Sequence, residues 1–389
     1  MGLRVAIDVR RIGDFGIGTH IRNLVHSLDR LARENHYLLV TNEPAAPALA
    51  ALGSNFERVH FNPPAHSLAR RAAFAWFLRR LRADVYHVPL NTVPLAMPRP
   101  YIVTVHDMSS LIYPERRTRG MHLWRYERGL RRANRVIAVS EATRRDIEDV
   151  LGIPSDRIRV IYNAPDPAFR RAERPVIASA GGDSEAPYPP EMEHTLDRYQ
   201  INFPFLLYAG TIRPQKNIPR MIEAFSIVRQ ELENNPVYQG LKLIIIGDEI
   251  SRAPEVRRAV IQSRVEHAVR FLGFVPIDTL RVFYQAASVF VFPSLYEGFG
   301  LPPLEAMACG TPVVSSALSS LPEVVGDAAV IVNPENVFDI ARGVREALLD
   351  ETLRSTLVER GFEQVRRFDW LRTAGAVVDA YREAAASGR

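Results

Sequence analysis

The sequence predicts an α/β protein made of two doubly wound, Rossmann-like domains with parallel sheets. Three observations support this. The chain of 389 residues is too long for one ordinary core and suits two domains of roughly 150 to 200 residues each. Short β-branched runs alternate with longer amphipathic stretches, as they do in βαβ units. A polar stretch from Arg170 to Glu193, with several glycines and prolines, interrupts the alternation once.

In the first half, β-branched runs predict strands and amphipathic stretches predict helices. The predicted strands are 4–9, 37–41, 85–88, 101–106, 136–140 and 158–162, and the predicted helices are 19–34, 67–82, 122–133 and 142–152. We expect this N-terminal domain to cover residues 1–172. We expect residues 173–200 to form a linker or an insertion.

The alternation then restarts. The predicted strands are 205–209, 243–247, 269–272, 288–292, 312–315 and 329–332, and the predicted helices are 219–233, 255–265, 278–286, 302–308 and 337–349. We expect residues 201–365 to form the second domain and residues 366–389 to form a helical segment that packs back toward the first. Two facing sheets of this kind leave a cleft, and their ligands bind beyond the carboxyl ends of the strands.

Composition narrows the class of protein. With 47% hydrophobic and 24% charged residues, the chain is neither disordered nor a membrane bundle. Its single cysteine, Cys309, cannot form an internal disulfide, which suits a reducing cytoplasm. We therefore expect a cytoplasmic protein whose membrane contact, if made, is peripheral and at the inner face. The net charge of +5 is compatible with nucleic acid, anionic lipid or a phosphorylated ligand.

The most informative segment follows the predicted strand 288–292. Its glycines permit a tight loop, and Pro302 and Pro303 are suited to the first turn of a helix, where backbone amides are unpaired. Such a helix start attracts anions. Glu297 and Glu305 frame this loop eight positions apart. In the alternative interpretation, Glu297 is a solvated loop residue and Glu305 only complements the helix dipole. The presence of both glutamates around a glycine loop at a strand end favours a functional role.

A second candidate anion site lies between Gly210 and Asn217, directly after the predicted strand 205–209. We expect Asn217 to cap the helix that follows. Lys216 is one of only two lysines in a chain rich in arginine, and Arg213 is a plausible second cation. This placement favours anion binding over mere surface solubility.

Two features of the N-terminal half complete the set. A glycine loop containing Gly16 and Gly18 lies between the first strand and the first helix. A G-x-G pattern alone is weak evidence for ligand binding, but this position between a strand and a helix strengthens it. His106 and Asp107 end the predicted strand 101–106. A lone histidine is more often structural than catalytic. The functional interpretation of His106 and Asp107 therefore depends on their position at the end of a strand.

These motifs resemble those of the retaining glycosyltransferases of family four, which have the GT-B fold and use nucleotide-activated sugars. The resemblance rests on the E-x7-E segment with the following Gly310-Thr-Pro-Val-Val-Ser315, on Leu321-Pro-Glu-Val-Val325 and on Asn333-Pro334. It covers nearly the whole chain apart from residues near 173–194. Bacterial polysaccharide mannosyltransferases are the most similar members. The resemblance therefore implies a hexosyltransferase of surface polysaccharide or glycolipid synthesis.

The resemblance also implies residue roles. Glu305 would bind the ribose hydroxyls, Glu297 the donor sugar, and Lys216 with Arg213 the leaving diphosphate. His106 would hydrogen-bond the transferred sugar, with Asp107 orienting its ring. The remaining donor-binding positions are glycine-loop residues and their neighbours: Gly16, Gly18, Gly210, Gly298, Phe299, Gly300 and Leu301. The sequence differs from the residues that are common in the family at three positions, Ala164, Thr211 and Gln215.

No cofactor or metal is expected, because the sequence lacks an Asp-x-Asp run and two cations can take the place of a divalent ion. GDP-mannose is the first expectation for the donor, with UDP- and dTDP-sugars open. The acceptor would be a saccharide or a lipid-linked saccharide. Retention would follow a front-face route without a protein nucleophile.

The predicted helix 67–82 combines apolar residues with arginines. An interfacial helix on anionic lipid and a helix that buries its apolar face on the sheet are equally compatible with this pattern. The candidate membrane or acceptor patch consists of Arg70, Arg71, Trp76, Arg79 and Arg80.

Other functions are weaker alternatives. A sugar-nucleotide epimerase, a phosphorylase or another GT-B enzyme would share the fold, and a nucleic-acid binder would explain the basic charge. The basic residues are spread over helices without aromatic platforms or a reader motif, so nucleic acid is not an expected partner. A catalytically inactive scaffold is disfavoured by the intact set of His106, Lys216, Glu297 and Glu305.

Overall fold

The computed structural model describes residues 2–14, 16–42, 49–62, 67–90, 93–94, 96–113, 120–171, 189–248 and 250–387. The chain divides into two compact units. The first unit contains residues 1–164 and 368–389, and the second contains residues 165–367.

The first unit is a seven-stranded parallel sheet with helices between the strands. Its strands are β1 (Arg4–Asp8), β2 (His36–Thr41), β3 (Phe56–His60), β4 (Val85–Val88), β5 (Tyr101–Val105), β6 (Arg135–Ala138) and β7 (Ile158–Val160). Its helices are α1 (Ile17–Leu31), α2 (Ser67–Arg80), α3 (Ser109–Ile112), α4 (Met121–Arg132), α5 (Glu141–Leu151) and α14 (Trp370–Ser387). The strand order is β3-β2-β1-β4-β5-β6-β7.

The second unit is a six-stranded parallel sheet in the order β10-β9-β8-β11-β12-β13. Its strands are β8 (Phe205–Ala209), β9 (Lys242–Ile246), β10 (Val269–Gly273), β11 (Val289–Phe292), β12 (Val313–Ser316) and β13 (Val330–Val332). Its helices are α6 (Pro190–Arg198), α7 (Ile218–Glu231), α8 (Pro254–Gln262), α9 (Ile277–Ala286), α10 (Leu301–Ala308), α11 (Leu321–Val325), α12 (Val337–Leu349) and α13 (Glu351–Arg366).

Two parallel sheets covered by helices confirm the predicted fold class. The central strands β8 and β11 consist of buried aliphatic and aromatic residues, and β1 is buried from Val5 to Asp8, because helices cover both faces of each sheet. Each strand order reverses once, between β1 and β4 in the first unit and between β8 and β11 in the second. Ligands of such sheets bind beyond the carboxyl ends of the strands, at the point where the strand order reverses.

The units begin and end at other residues than the sequence predicts. The second unit begins at Pro165, before the predicted boundary at 172, because Phe169 packs edge-on against Tyr284 at 5.4 Å and the Arg170 carbonyl accepts a hydrogen bond from Gln285. Within the predicted linker 173–200, residues 173–188 lie outside the described part. Residues 190–198 form α6, whose Met192 and Leu196 are buried, so this part is folded and not a linker.

The last helix belongs to the first unit and packs against α1. Tyr381 and Ala384 are fully buried there. Glu383 pairs with both Arg135 and Arg159 at the edge formed by β6 and β7. These side-chain contacts lower the pKa of the Glu383 carboxyl from its ordinary value. The first unit is therefore completed by residues from the far end of the chain.

Candidate active site

The loops after β8 and β11 lie side by side at the reversal of the second sheet. They are joined by a backbone hydrogen bond from the amide of Leu295 to the carbonyl of Gln215, at 2.7 Å. Between them, Lys216 Nζ contacts Glu297 Oε1 at 2.5 Å. Their side chains are only 16% and 11% exposed. The structure thus brings together two predicted residues that are 81 positions apart in the chain.

Lys216 ends a 3-10 turn that covers residues 214–216, and Arg213 lies just before that turn. Arg213 is exposed. The two predicted cations therefore share one loop but differ in setting, because Lys216 is held against a carboxylate while Arg213 faces solvent.

Asn217 does not cap the following helix in the predicted way. It adopts a left-handed conformation with φ 59°, and its side chain makes no capping bond. Instead, the buried amide donates to the carbonyls of Pro293 and Pro334, at 3.0 and 2.7 Å. The side chain therefore ties the Lys216 loop to the Glu297 loop, a long-range role that local capping preferences do not reveal.

The Glu297 loop is also fixed from β12. The hydroxyls of Ser319 and Ser320 donate to the Glu297 carbonyl at 2.6 and 3.0 Å. Ser320 also donates to the Phe299 carbonyl at 2.7 Å. Neither serine was predicted as a site residue, although both lie shortly after a strand, β12.

The glycine-rich segment leads into α10 as predicted, with the helix starting at Leu301 and prolines in its first turn. Gly300 has φ 110°, a conformation that favours glycine, and a Cβ there would lie 2.7 Å from the Leu321 side chain. Gly298 and Phe299 are buried. The first amides of α10 have no partners within the helix itself, so its start is suited to an anion.

Glu305 lies in α10, just beyond its first turn. The Tyr284 hydroxyl donates to Glu305 Oε2 at 3.0 Å. Burial raises the pKa of Glu305 to about 7, against the lowering effect of this hydrogen bond. Glu305 is thus a carboxyl group that titrates near neutrality.

A further part of the site, missed by the sequence analysis, is the close approach of the loops after β8 and β9. A Cβ at Gly247 would lie 1.9 Å from the Gly210 carbonyl oxygen, so residue 247 must be glycine. The Asp248 carboxylate accepts from the amide of Ile212 at 3.0 Å. These contacts fix the predicted Gly210 beside β9.

In the first unit, His106 follows β5 and its Nε2 lies 3.2 Å from the Pro89 carbonyl. Since a carbonyl accepts, Nε2 carries the proton and Nδ1 of the neutral ring keeps a lone pair. Burial lowers the pKa of His106 to about 4. The imidazole is therefore neutral at pH 7.

Asp107 does not orient that ring. Its carboxylate accepts from the amide of Ser109 at 2.9 Å and from the Ser109 hydroxyl. Among the described residues, no hydrogen bond joins Asp107 to His106. Asp107 instead fixes the start of α3, because a carboxylate beside free backbone amides readily makes such a local turn.

Of the two predicted glycines in the loop after β1, Gly18 is closely packed and Gly16 is not. Gly16 is exposed, with φ 71°, just before α1. A Cβ at Gly18 would lie 2.5 Å from the Ile12 carbonyl oxygen. Gly18 therefore allows the loop to fold over the first turn of α1.

The candidate patch on α2 is described in part. The side chains of Arg70 and Arg71 lie outside the described residues. Arg79 and Arg80 are exposed, and Trp76 is 59% exposed with the Arg80 guanidinium 4.5 Å from its ring centroid. Phe74 and Leu78 are buried, so α2 covers the sheet and also presents an aromatic and basic face. Within the described residues, no helix is both long and apolar enough to cross a membrane.

Comparison with known proteins yields two matching family models. Residues 16–169 match "Glycosyltransferase Family 4", and residues 198–364 match "Glycosyl transferases group 1". The O-antigen chain mannosyltransferase B of Escherichia coli is 33% identical over 313 residues, which are 79% of this chain and 76% of that protein.

Solved structures share the fold. Sucrose-phosphate synthase from Thermosynechococcus elongatus has a TM-score of 0.75 at 20% identity, over 99% of this chain and 100% of that one. HepE from Anabaena, solved with UDP and glucose, has a TM-score of 0.73 at 17% identity, over 97% of this chain and 99% of that one.

Proposed function

This chain belongs to the group 1, family 4 glycosyltransferases of GT-B fold, and we propose from that premise that it is a retaining, metal-independent hexosyltransferase using a nucleotide-diphosphate sugar. The observation that carries the proposal is the contact between Lys216 and Glu297 at the strand reversal of the second sheet. It places a cation, a carboxylate and a helix start at one sheet edge.

Sugar transfer breaks the bond between the anomeric carbon and a phosphate oxygen, so negative charge develops on the diphosphate. Lys216 supplies a fixed positive charge for that group, and the start of α10 supplies amides and the positive end of a helix dipole. Arg213, exposed on the same loop, adds a second cation. Glu297, held against Lys216, is placed to accept hydroxyl hydrogens of the donor sugar.

We assign Glu305 to the ribose, since a carboxylate can accept from two neighbouring hydroxyls. We assign His106 to the transferred sugar, because the lone pair on its Nδ1 can accept a hydroxyl hydrogen. Asp107 has no part in this scheme, because its carboxylate serves α3.

Retention follows if the acceptor attacks on the face from which the diphosphate leaves. The acceptor oxygen forms the new bond to the anomeric carbon as the bond to phosphate breaks. The acceptor proton passes to a phosphate oxygen of the leaving diphosphate. The charges are balanced without a protein nucleophile, and the protein's role is to bind, orient and stabilise the leaving group.

Mannose is the proposed sugar and GDP-mannose the proposed donor. The name of the E. coli relative, an O-antigen chain mannosyltransferase, supports this choice. The proposed acceptor is a growing saccharide, free or lipid-linked. UDP- and dTDP-sugars are the competing donors, and a donor panel distinguishes them.

Lys216→Ala tests the diphosphate role. Removing one fixed stabiliser of developing negative charge typically costs about 10²–10³ in turnover. We expect a loss of that order in GDP-mannose hydrolysis or transfer, with retained configuration in the wild-type product by proton NMR. The matched control is Lys242→Ala, because Lys242 stacks on Phe203 at the start of β9. Turnover by Lys216→Ala equal to the wild-type rate would rule out the role.

Glu305 predicts a pH dependence of donor binding. With a pKa of about 7 in the free protein, the carboxyl is protonated at lower pH and then loses acceptor capacity for ribose hydroxyls. GDP-mannose should bind about tenfold more weakly at pH 6 than at pH 8, the dependence expected if only the ionised group binds. Titration calorimetry measures this. Glu305→Gln should flatten the dependence, and an equal slope in that variant would contradict the assignment.

We also propose that the first unit contacts anionic membrane through exposed tryptophan–arginine pairs. Trp76 and Arg80 form one pair on α2. Trp124, 52% exposed, and Arg128 form another on α4, with the guanidinium 5.5 Å from the ring centroid. Indole rings favour the membrane interface, and arginines are attracted to anionic headgroups.

Co-sedimentation with vesicles tests this contact. We expect binding to phosphatidylglycerol vesicles to exceed binding to phosphatidylcholine vesicles. It should weaken at least about fivefold in the double variant Trp76→Ala, Arg80→Gln, since the one arginine removed contributes about 1 kcal/mol. Phe338→Ala is the control, because Phe338 is 73% exposed on α12 of the second unit. Equal binding to both vesicle types would contradict the proposal.

A further inference from the structure

Three histidines gather in the first unit, near the carboxyl ends of its central strands. His20 lies in the first turns of α1, His87 in β4, and His106 directly after β5. The ring centroids of His20 and His106 are 4.8 Å apart, with ring planes at 78°. Only His106 has a role in the proposed function, so the other two require an explanation.

His87 is saturated by its neighbours. Its Nδ1 lies 2.8 Å from the Tyr381 hydroxyl, and its Nε2 lies 2.8 Å from the Thr104 hydroxyl. Both partners are fully buried. His87 therefore belongs to the core, where it connects α14 with β4 and β5.

His20 differs because, as far as the described residues show, one of its two ring nitrogens has a hydrogen-bond partner and the other has none. Its Nδ1 donates to Asn163 Oδ1 at 2.7 Å, in a buried setting. Its Nε2 is buried and has no hydrogen-bond partner among the described residues. Burial, with a smaller contribution from nearby His106, lowers the pKa of His20 to about 3, so the ring is neutral. A neutral ring can approach the neutral His106 without charge repulsion.

Trp370 also packs against His20. The indole and imidazole rings meet edge to face, with centroids 5.7 Å apart, and Trp370 begins α14. A continuous series of contacts therefore connects the C-terminal helix to His106 through His20. The Asn163 bond fixes the rotation of the His20 ring within this series.

His106 needs such support. Within the described part of the chain its ring makes one hydrogen bond, from Nε2 to the Pro89 carbonyl at 3.2 Å. This bond fixes one ring atom but leaves the tilt of the ring free. The edge-to-face contact with His20 restricts that tilt. The tilt of the His106 ring determines the direction of the Nδ1 lone pair.

We propose that His20 is a positioning residue for His106, held for this purpose by Asn163 and Trp370. The proposal rests on the proposed function, in which His106 binds the transferred sugar. Misplacing a reacting group by about 1 Å can cost on the order of 10²-fold in rate, so the loss of a supporting ring should be visible in kcat.

A double-mutant cycle on GDP-mannose hydrolysis tests the proposal. We expect His20→Ala to lower kcat on the order of 10- to 100-fold with little change in the donor KM. In the His106→Ala background, the same substitution should cost less than about threefold, because residues that act as a unit are not additive. His26→Ala is the matched control, since His26 is an exposed residue of the same helix. An equal loss in both backgrounds would overturn the proposal.

A readout without turnover accompanies the cycle. In histidine-labelled protein, the His106 ring signals, assigned by their loss in His106→Gln, should shift in His20→Ala and in Trp370→Ala. They should stay near their wild-type positions in Trp370→Phe, which retains an aromatic ring. Where His20→Ala fails to fold, His20→Leu fills the space without an aromatic ring and should shift the His106 signals in the same way. Unchanged His106 signals in folded His20 variants would overturn the proposal.

The experiments distinguish a failure of the sugar-binding role of His106 from a failure of the positioning role of His20. Full turnover by His106→Ala would remove the role of His106 in the proposed function, whatever the NMR shows. A strong loss in His106→Ala combined with an independent effect of His20→Ala would remove only the positioning role.

Discussion

The ion pair between Lys216 and Glu297 is the interaction on which the proposed chemistry depends. Both side chains are largely removed from water, so each charge requires the other as compensation in the free protein. The pair forms because β8 and β11 are adjacent at the reversal of strand order, so that their following loops meet. A diphosphate entering this site would compete with Glu297 for Lys216 and would free the carboxylate for the sugar.

Contacts far apart in the chain hold this pair in place. Asn217 donates to the carbonyls of Pro293 and Pro334, and Ser319 and Ser320 hold the Glu297 backbone. The approach of Gly247 to Gly210 fixes the neighbouring loop. The first unit depends in a similar way on the returning α14, which supplies Trp370 and Tyr381 to the histidine cluster.

Much of the fold was predictable, because buried parallel strands are continuous apolar runs and their helices have a clear period. The strand β3 was missed because its residues are half-exposed and include charged side chains, which weakens the pattern. The helix α6 was missed because its two buried residues, Met192 and Leu196, lie in a polar stretch.

The site was predictable to the extent that residue type and position after a strand indicate chemistry. Lys216, Glu297 and Glu305 were predicted in this way, and the structure brings Lys216 and Glu297 into contact. The roles of Asn217 and Asp107 were not predicted, because local sequence preference does not determine the hydrogen-bond partner of either side chain. The support of His106 by His20 and Trp370 depends on residues from three distant parts of the chain.

The most direct test of the central claim is a crystal structure of the protein with GDP bound. We expect a diphosphate oxygen about 3 Å from Lys216 Nζ, at hydrogen-bond distance, with the phosphates at the start of α10 and the ribose hydroxyls on Glu305. A GDP molecule bound elsewhere, with the contact between Lys216 and Glu297 unchanged, would contradict it.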